Sequence, residues 1–205
     1  DNAMLRRGQP CTHRVFGEDT AMLTALALLN RAFGVIAADG ALSANLRNEI
    51  VVLLHQAVGT QGLIGGQELD LHETFTTDDL TGLSEMYQRK TGILFIAAAD
   101  AGGRIAALDA TALTGLRSFA RYLGLAYQLA DDLSDVRDAG VTEQADQPNM
   151  VAAIGVERTR RLFEKLLQHA VRQIAPLGDA AVPLEDFARQ LFKGVSVGAK
   201  ADAHG

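Results

Sequence analysis

The chain has 205 residues, of which 48% are hydrophobic and 21% charged, and it fits a single globular domain over residues 1–205. Its formal net charge of −6 argues against a nucleic-acid partner, because a phosphate backbone attracts basic surfaces. The single cysteine, Cys11, excludes an internal disulfide and a cysteine-rich zinc site, and it fits a reducing cytoplasm. No unbroken apolar run reaches about eighteen residues, so we expect no transmembrane segment.

The first third of the chain predicts helices. Apolar residues recur every three or four positions and strand signals are nearly absent, which favours an all-α fold. A first helix is predicted over Phe16 to Ala38, with Gly40 as its stop, and a second over residues 45–58. Four glycines between Gly59 and Gly66 predict a flexible joint or a close approach of two helices.

The rest of the chain continues the helical pattern. A third helix is predicted from Asp78 to Ala101, because Thr77 and the acids after it suit a helix start. The remaining predicted elements are a helix near 105–112, a long helix over about 114–137, a polar loop over 138–149 and helices near 150–175 and 183–194. Together these elements predict an α-helical bundle.

The most informative residues lie near the end of the long predicted helix, in the string Asp131-Asp132-Leu133-Ser134-Asp135. Asp131 and Asp135 share a helix face, about 40° apart, whereas Asp132 lies about a quarter turn away. Like charges at this spacing repel by roughly a few tenths of a kcal/mol, a cost that a bound cation removes. Oxygen ligands without histidine or cysteine nearby suit magnesium. The alternative reading is a solvated acidic helix end.

Three further segments precede the acidic string. They are Leu5–Pro10 (LRRGQP), Gly66–Leu71 (GQELDL) and Tyr87–Gly92 (YQRKTG). Taken in order with the acidic string, they resemble the trans-prenyltransferase family, the polyprenyl diphosphate synthases that include geranylgeranyl and farnesyl diphosphate synthases. The likeness extends from the start of the chain over roughly three quarters of its length. It implies an isoprenoid-synthase-type helical bundle around a central cavity.

The resemblance also implies a magnesium site built from two aspartate-rich motifs that face each other. Asp131, Asp132 and Asp135 match the second motif. Asp1 matches the last aspartate of the first motif, judged by its distance from the paired arginines. We therefore expect the remainder of that motif, and the N-terminal helices that carry it, to lie upstream of Asp1.

Individual site residues follow from the same resemblance, position by position. Each role concerns a diphosphate, the metal ion or the allylic carbocation. The resemblance implies that Arg6 and Lys90 contact the allylic diphosphate, Arg7 contacts the diphosphate of isopentenyl diphosphate, Thr91 and Gln128 turn oxygens toward the carbocation, Gln67 and Asp70 support metal-bound water, and Tyr127 packs beside the second substrate.

The implied activity is the condensation of isopentenyl diphosphate with an allylic diphosphate. It would proceed by metal-assisted ionisation, condensation and proton elimination, with Mg²⁺ as cofactor, in a cytoplasmic homodimer. Residues Ala21 to Ala38 would form one wall of a tunnel for the growing chain. The small residues Ala25 and Ala27 favour a twenty-carbon product, geranylgeranyl diphosphate.

Two other functions remain open at this point. No lysine lies between Lys90 and Lys165, and Gln147 stands where the family has a loop lysine, so a non-catalytic regulatory subunit of a prenyl synthase is one alternative. A class I terpene cyclase is the other. Asn149 and Glu157 have the spacing of its second metal motif, but Ala153 occupies the position of the hydroxyl ligand. A di-iron bundle is disfavoured because no Glu-x-x-His pair occurs.

Overall fold

The computed structural model describes residues 3–6, 8–72, 75–76, 78–139, 149–193 and 195, with the side chains of 136–139 left out. The chain divides into two compact units, Asp1–Val52 and Leu53–Gly205, and each is described by itself. Nearly all regular structure in the described ranges is helical, which confirms the all-α prediction. The single domain over 1–205 stays a prediction.

The first unit begins with a short antiparallel hairpin that the sequence did not predict. Strands β1 (Leu5–Arg6) and β2 (Gln9–Pro10) pair with Arg6 opposite Gln9. Gly8 precedes β2 with a φ of 75°, a left-handed conformation that glycine adopts without steric cost. Two-residue strands carry too little periodicity to be found by pattern.

Helices α1 (Thr12–Phe16) and α2 (Glu18–Ala38) follow the hairpin. The predicted helix from Phe16 to Ala38 was wrong at its start, because Gly17 takes a φ of 85° and interrupts the helix there. Helix α3 (Ala44–Val58) confirms the prediction for 45–58, and the boundary between the two units falls within it.

Helix α2 has no buried residue. By length and composition alone, it is apolar enough to cross a membrane. One such helix is weak evidence for a membrane span, because helices covered by other protein pass the same test. The absence of a transmembrane segment therefore stays a prediction.

The second unit opens with helices α4 (Leu63–His72), α5 (Leu80–Tyr87) and α6 (Ile93–Ile105). A single π-helical turn, Gln88–Gly92, joins α5 to α6. The predicted helix from Asp78 to Ala101 is thus two helices with a widened turn between them. Helix α4 was not predicted, because its glycines resemble a loop.

The last helices are α7 (Ala110–Ala139), α8 (Met150–Ile154), α9 (Val156–Ile174) and α10 (Val182–Leu191). The 3₁₀ segment Ala175–Ala181 joins α9 to α10.

Two predictions for this region were wrong, and a third concerns a loop that lies largely outside the described residues. A separate helix at 105–112 was wrong, because the chain turns at Ala107, with a φ of 53°. The predicted helix over 150–175 is divided at Gly155, with a φ of 81°. The predicted loop begins inside α7, which extends to residue 139, and its residues 140–148 lie outside the described residues.

Helix α7 is the centre of the second unit, packed between α6 and α9. Leu123 and Leu129 on α7 and Ile174 on α9 are almost completely buried. The rings of Phe163 and Phe192 pack against each other, with their centroids 5.1 Å apart. This apolar packing fixes the rotation of α7, and with it the direction of the acidic residues at its end.

A buried carboxylate joins α6 to α7. Asp100, 5% exposed, accepts hydrogen bonds from Arg117 Nε and Nη2, both at 2.9 Å, and from Arg104 Nε at 2.8 Å. Burial acts to raise the pKa of Asp100, but the hydrogen bonds and charges of Arg117 and Arg104 outweigh it and hold the pKa below its usual value. Asp100 is therefore ionised at neutral pH.

We expect Asp100→Asn to lower the free energy of unfolding by about 2–3 kcal/mol at pH 7, because two arginines lose their counter-charge. A carboxyl whose pKa falls on folding stabilises the folded protein at pH values above its pKa in the unfolded state. This stabilisation is lost as the pH falls through its pKa in the folded state. The deficit should therefore shrink below about pH 4. Urea unfolding at several pH values measures the difference in unfolding free energy between the variant and the wild type. Asp186→Asn, an exposed ion-pair residue, is the control, and a pH-independent deficit would contradict the assignment.

Candidate functional site

The three aspartates at the end of α7 point in two directions. Asp131 and Asp135 are exposed, whereas Asp132 is 8% exposed and faces the interior. Among the residues that the structure describes, no three histidine, cysteine or acidic side chains come together as a metal-binding group. The predicted set of three aspartates is thus an exposed pair and a separate buried residue.

Asp132 accepts hydrogen bonds from two neighbouring elements. Its Oδ2 accepts from Tyr87 Oη at 2.6 Å and from the Met150 backbone N–H at 2.9 Å. The same N–H also points at Tyr87 Oη, at 3.2 Å. The carboxylate thus joins the end of α5, the end of α7 and the start of α8.

The environment shifts the ionisation of both side chains in this junction. Burial raises the pKa of Asp132, hydrogen bonds from Tyr87 and Met150 lower it, and the charges of Asp135 and Asp131 raise it, to a net pKa of about 6. Burial, together with the charge and hydrogen bond of Asp132, raises the pKa of Tyr87 above its ordinary value. At neutral pH the tyrosine is therefore a protonated donor and the aspartate an acceptor.

A second polar cluster contains three of the residues predicted to bind substrate or metal-bound water. Lys90 Nζ lies 2.5 Å from Asp70 Oδ2, and Gln67 Nε2 donates to the same oxygen at 3.3 Å. The Asp70 side chain is 10% exposed and that of Lys90 29% exposed. The structure thus brings Lys90 into contact with Asp70, which lies twenty positions earlier in the sequence.

Glycines allow these elements to approach closely. A Cβ atom on Gly66 of α4 would lie 2.3 Å from the Lys90 backbone nitrogen, and one on Gly124 of α7 would lie 2.7 Å from Gly92 Cα. Both distances are far inside van der Waals contact. The π-helical turn with Lys90 and Thr91 is therefore packed directly against α4 on one side and α7 on the other, and π-helical turns recur at functional sites.

The other predicted residues are more scattered. Thr91 and Gln128 are half-buried, the first in the π-helical turn and the second on α7. Tyr127 packs on Phe95, with ring centroids 5.7 Å apart. Arg6 is exposed on β1 in the first unit. Asp1 and Arg7 lie outside the described residues, so their predicted roles stay predictions.

An apolar cavity of about 560 Å³ lies between α6, α7 and α10. Leu94, Phe95 and Ala98 line it from α6, Leu123 from α7 and Phe187 from α10. It begins a single turn after Thr91 along the chain. This cavity differs from the predicted tunnel wall at Ala21–Ala38, which belongs to the first unit.

The donor chemistry at the end of α7 fits magnesium. The ion is usually held by one or two carboxylates together with phosphate oxygens and water. Asp131 and Asp135 offer such a pair on one exposed face, four residues apart. A third carboxylate from the same helix is not required for this kind of site.

Sequence reasoning missed Tyr87 and Met150. Tyr87 was noted only as part of the YQRKTG segment, and a buried tyrosine gives no sequence signal of its partner. One signal did exist for Asp132, whose position a quarter turn from Asp131 already indicates a different environment.

Comparisons with known proteins agree with this architecture. Residues 1–147 match the sequence profile of the polyprenyl synthetase family. The chain is 36% identical, over 90% of its length, to a protein of Arabidopsis thaliana named putative geranylgeranyl pyrophosphate synthase 8, chloroplastic. It is 38% identical, over 82% of its length, to a geranylgeranyl diphosphate synthase of Pseudescherichia vulneris. The chain spans about 55% of the length of each of these relatives.

Solved structures extend the comparison to the fold. An FPP/GFPP synthase from Zymomonas mobilis superposes with a TM-score of 0.84 at 30% identity, over 93% of this chain and 67% of that one. A geranyltransferase from Helicobacter pylori, complexed with magnesium and isoprenyl diphosphate, gives a TM-score of 0.78 at 26% identity, over 95% of this chain and 66% of that one. With the profile match over most of its length, the chain belongs to the polyprenyl synthetase family.

Proposed function

We propose that the protein condenses isopentenyl diphosphate with an allylic prenyl diphosphate to give a longer prenyl diphosphate. The observation that carries this proposal is the contact between two segments. The π-helical turn that bears Lys90 packs on α7 through Gly92 and Gly124, and the exposed carboxylates Asp131 and Asp135 lie on the same α7 helix. A cationic side chain and an acidic pair on adjoining elements suit a magnesium diphosphate.

Ionisation of the allylic substrate breaks its C–O bond and leaves negative charge on the departing diphosphate. Asp131 and Asp135 would hold Mg²⁺, which when bound neutralises part of that charge. Lys90 would supply a further positive charge from the protein. Asp70 and Gln67 restrict the position of the ammonium group before substrate arrives. Arg6 and Arg7 would bind the two diphosphates, since guanidinium groups pair with phosphate through two parallel hydrogen bonds.

The following steps need no protein nucleophile. The carbocation would be stabilised by oxygens of Thr91 and Gln128, whose dipoles are held in place before the charge develops. The double bond of isopentenyl diphosphate, packed beside Tyr127, attacks the carbocation and forms the new C–C bond. The resulting cation loses a proton to the released diphosphate, which restores a neutral double bond.

The apolar cavity next to Phe95 would hold the growing prenyl chain. Apolar walls exclude water from a carbocation and gain free energy by burying a hydrocarbon. Its position one turn beyond Thr91 supports this use. A volume of about 560 Å³ supports a twenty-carbon product, and relatives of the chain are named geranylgeranyl diphosphate synthases.

Ala98→Phe tests the use of this cavity. The larger side chain would fill part of the cavity, so the main product should be shorter by at least one isoprene unit, while the first condensation continues. Mass spectrometry of the products measures the change. Ala110→Phe, at the exposed first residue of α7, is the control. If Ala98→Phe made products of unchanged length, the growing prenyl chain would not occupy this cavity.

We also propose a homodimer located in the cytoplasm. Support for the dimer comes from α2, where Met22, Leu23, Leu26 and Leu28 are each at least 60% exposed. Apolar surface of this extent on one helix is typical of an interface. If light scattering gave the mass of a monomer for the full-length protein, the dimer would be contradicted.

The names of the relatives do not agree on a location, since some include the word chloroplastic and others belong to bacteria.

The two alternative functions predict different products. A class I terpene cyclase would release diphosphate and a hydrocarbon from an allylic substrate alone. The structure disfavours its second metal motif, because Asn149 Oδ1 accepts a hydrogen bond from the Ala152 N–H at 2.8 Å and caps α8. A regulatory subunit would make no product alone but would change the rate of a partner synthase. Incubation of the full-length protein with Mg²⁺ and each substrate, separately and together, distinguishes these cases.

A further inference from the structure

We propose that Tyr87 and Asp132 are positioning residues, which hold the turn carrying Lys90 against the helix end carrying Asp131 and Asp135, and that Asp132 is not a magnesium ligand. This inference rests on the proposed function. It gives the two adjacent aspartates of the acidic string different tasks. Asp131 is exposed and would hold the ion, whereas Asp132 is buried against the protein.

The first support is the direction and burial of the Asp132 side chain. A magnesium ligand must reach an ion that also contacts the substrate diphosphate. Asp132 is 8% exposed, and its Oδ2 already accepts two hydrogen bonds, from Tyr87 and from the Met150 N–H. Moving this carboxylate outward would leave the Tyr87 hydroxyl without its acceptor and the Met150 N–H with only its longer contact to Tyr87 Oη, and a buried donor that loses its acceptor destabilises the protein.

The second support is the position of Tyr87. It is the last residue of α5 and directly precedes the π-helical turn. Lys90 follows three residues later, in the middle of that turn. A hydrogen bond of 2.6 Å from Tyr87 Oη to Asp132 Oδ2 therefore ties the start of the turn to the residue next to Asp131. Rotation or sliding of the turn along α7 would lengthen this bond.

The third support is that Met150, at the start of α8, is also held in place by hydrogen bonds. The Met150 N–H is held by Asp132 and Tyr87, and the Met150 carbonyl accepts from Thr159 Oγ1 at 3.3 Å. Thr159 is fully buried on α9. Four helices, α5, α7, α8 and α9, thus meet at a single hydrogen-bonded junction, and the π-helical turn begins directly after it. The spacing between Lys90 and the exposed carboxylates is set at this point.

The test compares two neighbouring substitutions of equal size, Asp131→Asn and Asp132→Asn, in the full-length protein. An asparagine at 132 keeps an oxygen that can accept from Tyr87 and Met150 but removes the charge that a metal ion needs. We expect Asp131→Asn to raise the Mg²⁺ concentration for half-maximal activity and lower kcat/KM by about 1,000-fold. Asp132→Asn should lower kcat/KM by about 10-fold or less and leave the Mg²⁺ requirement unchanged, because the amide oxygen still accepts both hydrogen bonds.

Tyr87→Phe tests the positioning role directly. Loss of the hydroxyl should raise KM for the allylic diphosphate by about 10-fold, with less than about a 2-fold change in KM for isopentenyl diphosphate. A purely structural role would lower the thermal midpoint and leave this ratio of KM values unchanged, which would overturn the proposal. Equal Mg²⁺ defects in Asp131→Asn and Asp132→Asn would overturn it as well.

A binding measurement distinguishes failure of the proposed function from failure of the positioning role. If the wild-type protein formed no prenyl product, calorimetric titration of the same variants with Mg²⁺ and a prenyl diphosphate would still report on the junction. Weaker binding in Tyr87→Phe and Asp131→Asn, with near wild-type binding in Asp132→Asn, is the expected pattern. Binding that is equal in all the proteins would overturn the positioning role.

Discussion

Replacement of Asp131 with alanine is expected to abolish prenyl transfer while leaving the helical fold intact. Asp131 is exposed near the end of α7 and shares its face with Asp135, so the two carboxylates together would hold the magnesium ion. Without it, negative charge on the departing diphosphate is poorly compensated in the transition state. We expect kcat to fall by at least about 1,000-fold, equivalent to about 4 kcal/mol.

The measurement is steady-state turnover, accompanied by circular dichroism. An exposed aspartate contributes about 1 kcal/mol or less to stability even when it is part of an ion pair, so the unfolding midpoint should change little. Asp179→Ala, at an exposed position far along the chain, serves as the matched control and should retain activity. Turnover near the wild-type rate in Asp131→Ala would remove the metal-site assignment.

Gly66→Ala is expected to have the second largest effect, although Gly66 contacts no substrate. Its added Cβ atom would lie 2.3 Å from Lys90 N, 2.6 Å from Arg89 C and 2.7 Å from Lys90 Cα. These are backbone atoms, so α4 and the π-helical turn must move apart. Overpacking of this kind costs about 1–3 kcal/mol, and the movement would separate Asp70 from Lys90.

The catalytic consequence should exceed the loss of stability. Displacement of a charged group by about 1 Å can lower activity by about 100-fold, and we expect a fall of that order in kcat/KM. Gly40→Ala is the control, because a Cβ atom there meets no atom within 4 Å. Gly66→Ala with normal kinetics would show that the contact between α4 and the turn does not position Lys90.

The helical class and the long acidic helix could be predicted from the sequence because both depend on local periodicity. Helix α3 matches its prediction within one residue at its start. Likewise, the long helix predicted over about 114–137 is confirmed as part of α7. Helix boundaries at Gly17 and Gly155 could not be placed, because they depend on backbone angles that a glycine permits but does not require.

The arrangement of the site depends on contacts between distant residues, which periodicity does not report. The π-helical turn at Lys90 has the composition of an ordinary helix. Asp70 and Lys90 meet because Gly66 lets α4 approach. Of the two alternatives predicted for the glycines, a flexible joint or a close approach, the structure has the close approach at that position. Asp132 was grouped with Asp131 by motif, and only the hydrogen bonds to Tyr87 and Met150 separate the two.

Magnesium-dependent chain elongation can be measured directly in a product assay. The full-length protein would be incubated with isopentenyl diphosphate and allylic primers of five, ten or fifteen carbons, with Mg²⁺ or with a chelator, and the products sized by mass spectrometry. We predict a discrete twenty-carbon prenyl diphosphate that forms with Mg²⁺ and disappears with the chelator. If no primer were elongated in the presence of Mg²⁺, the protein would not have the proposed prenyltransferase activity.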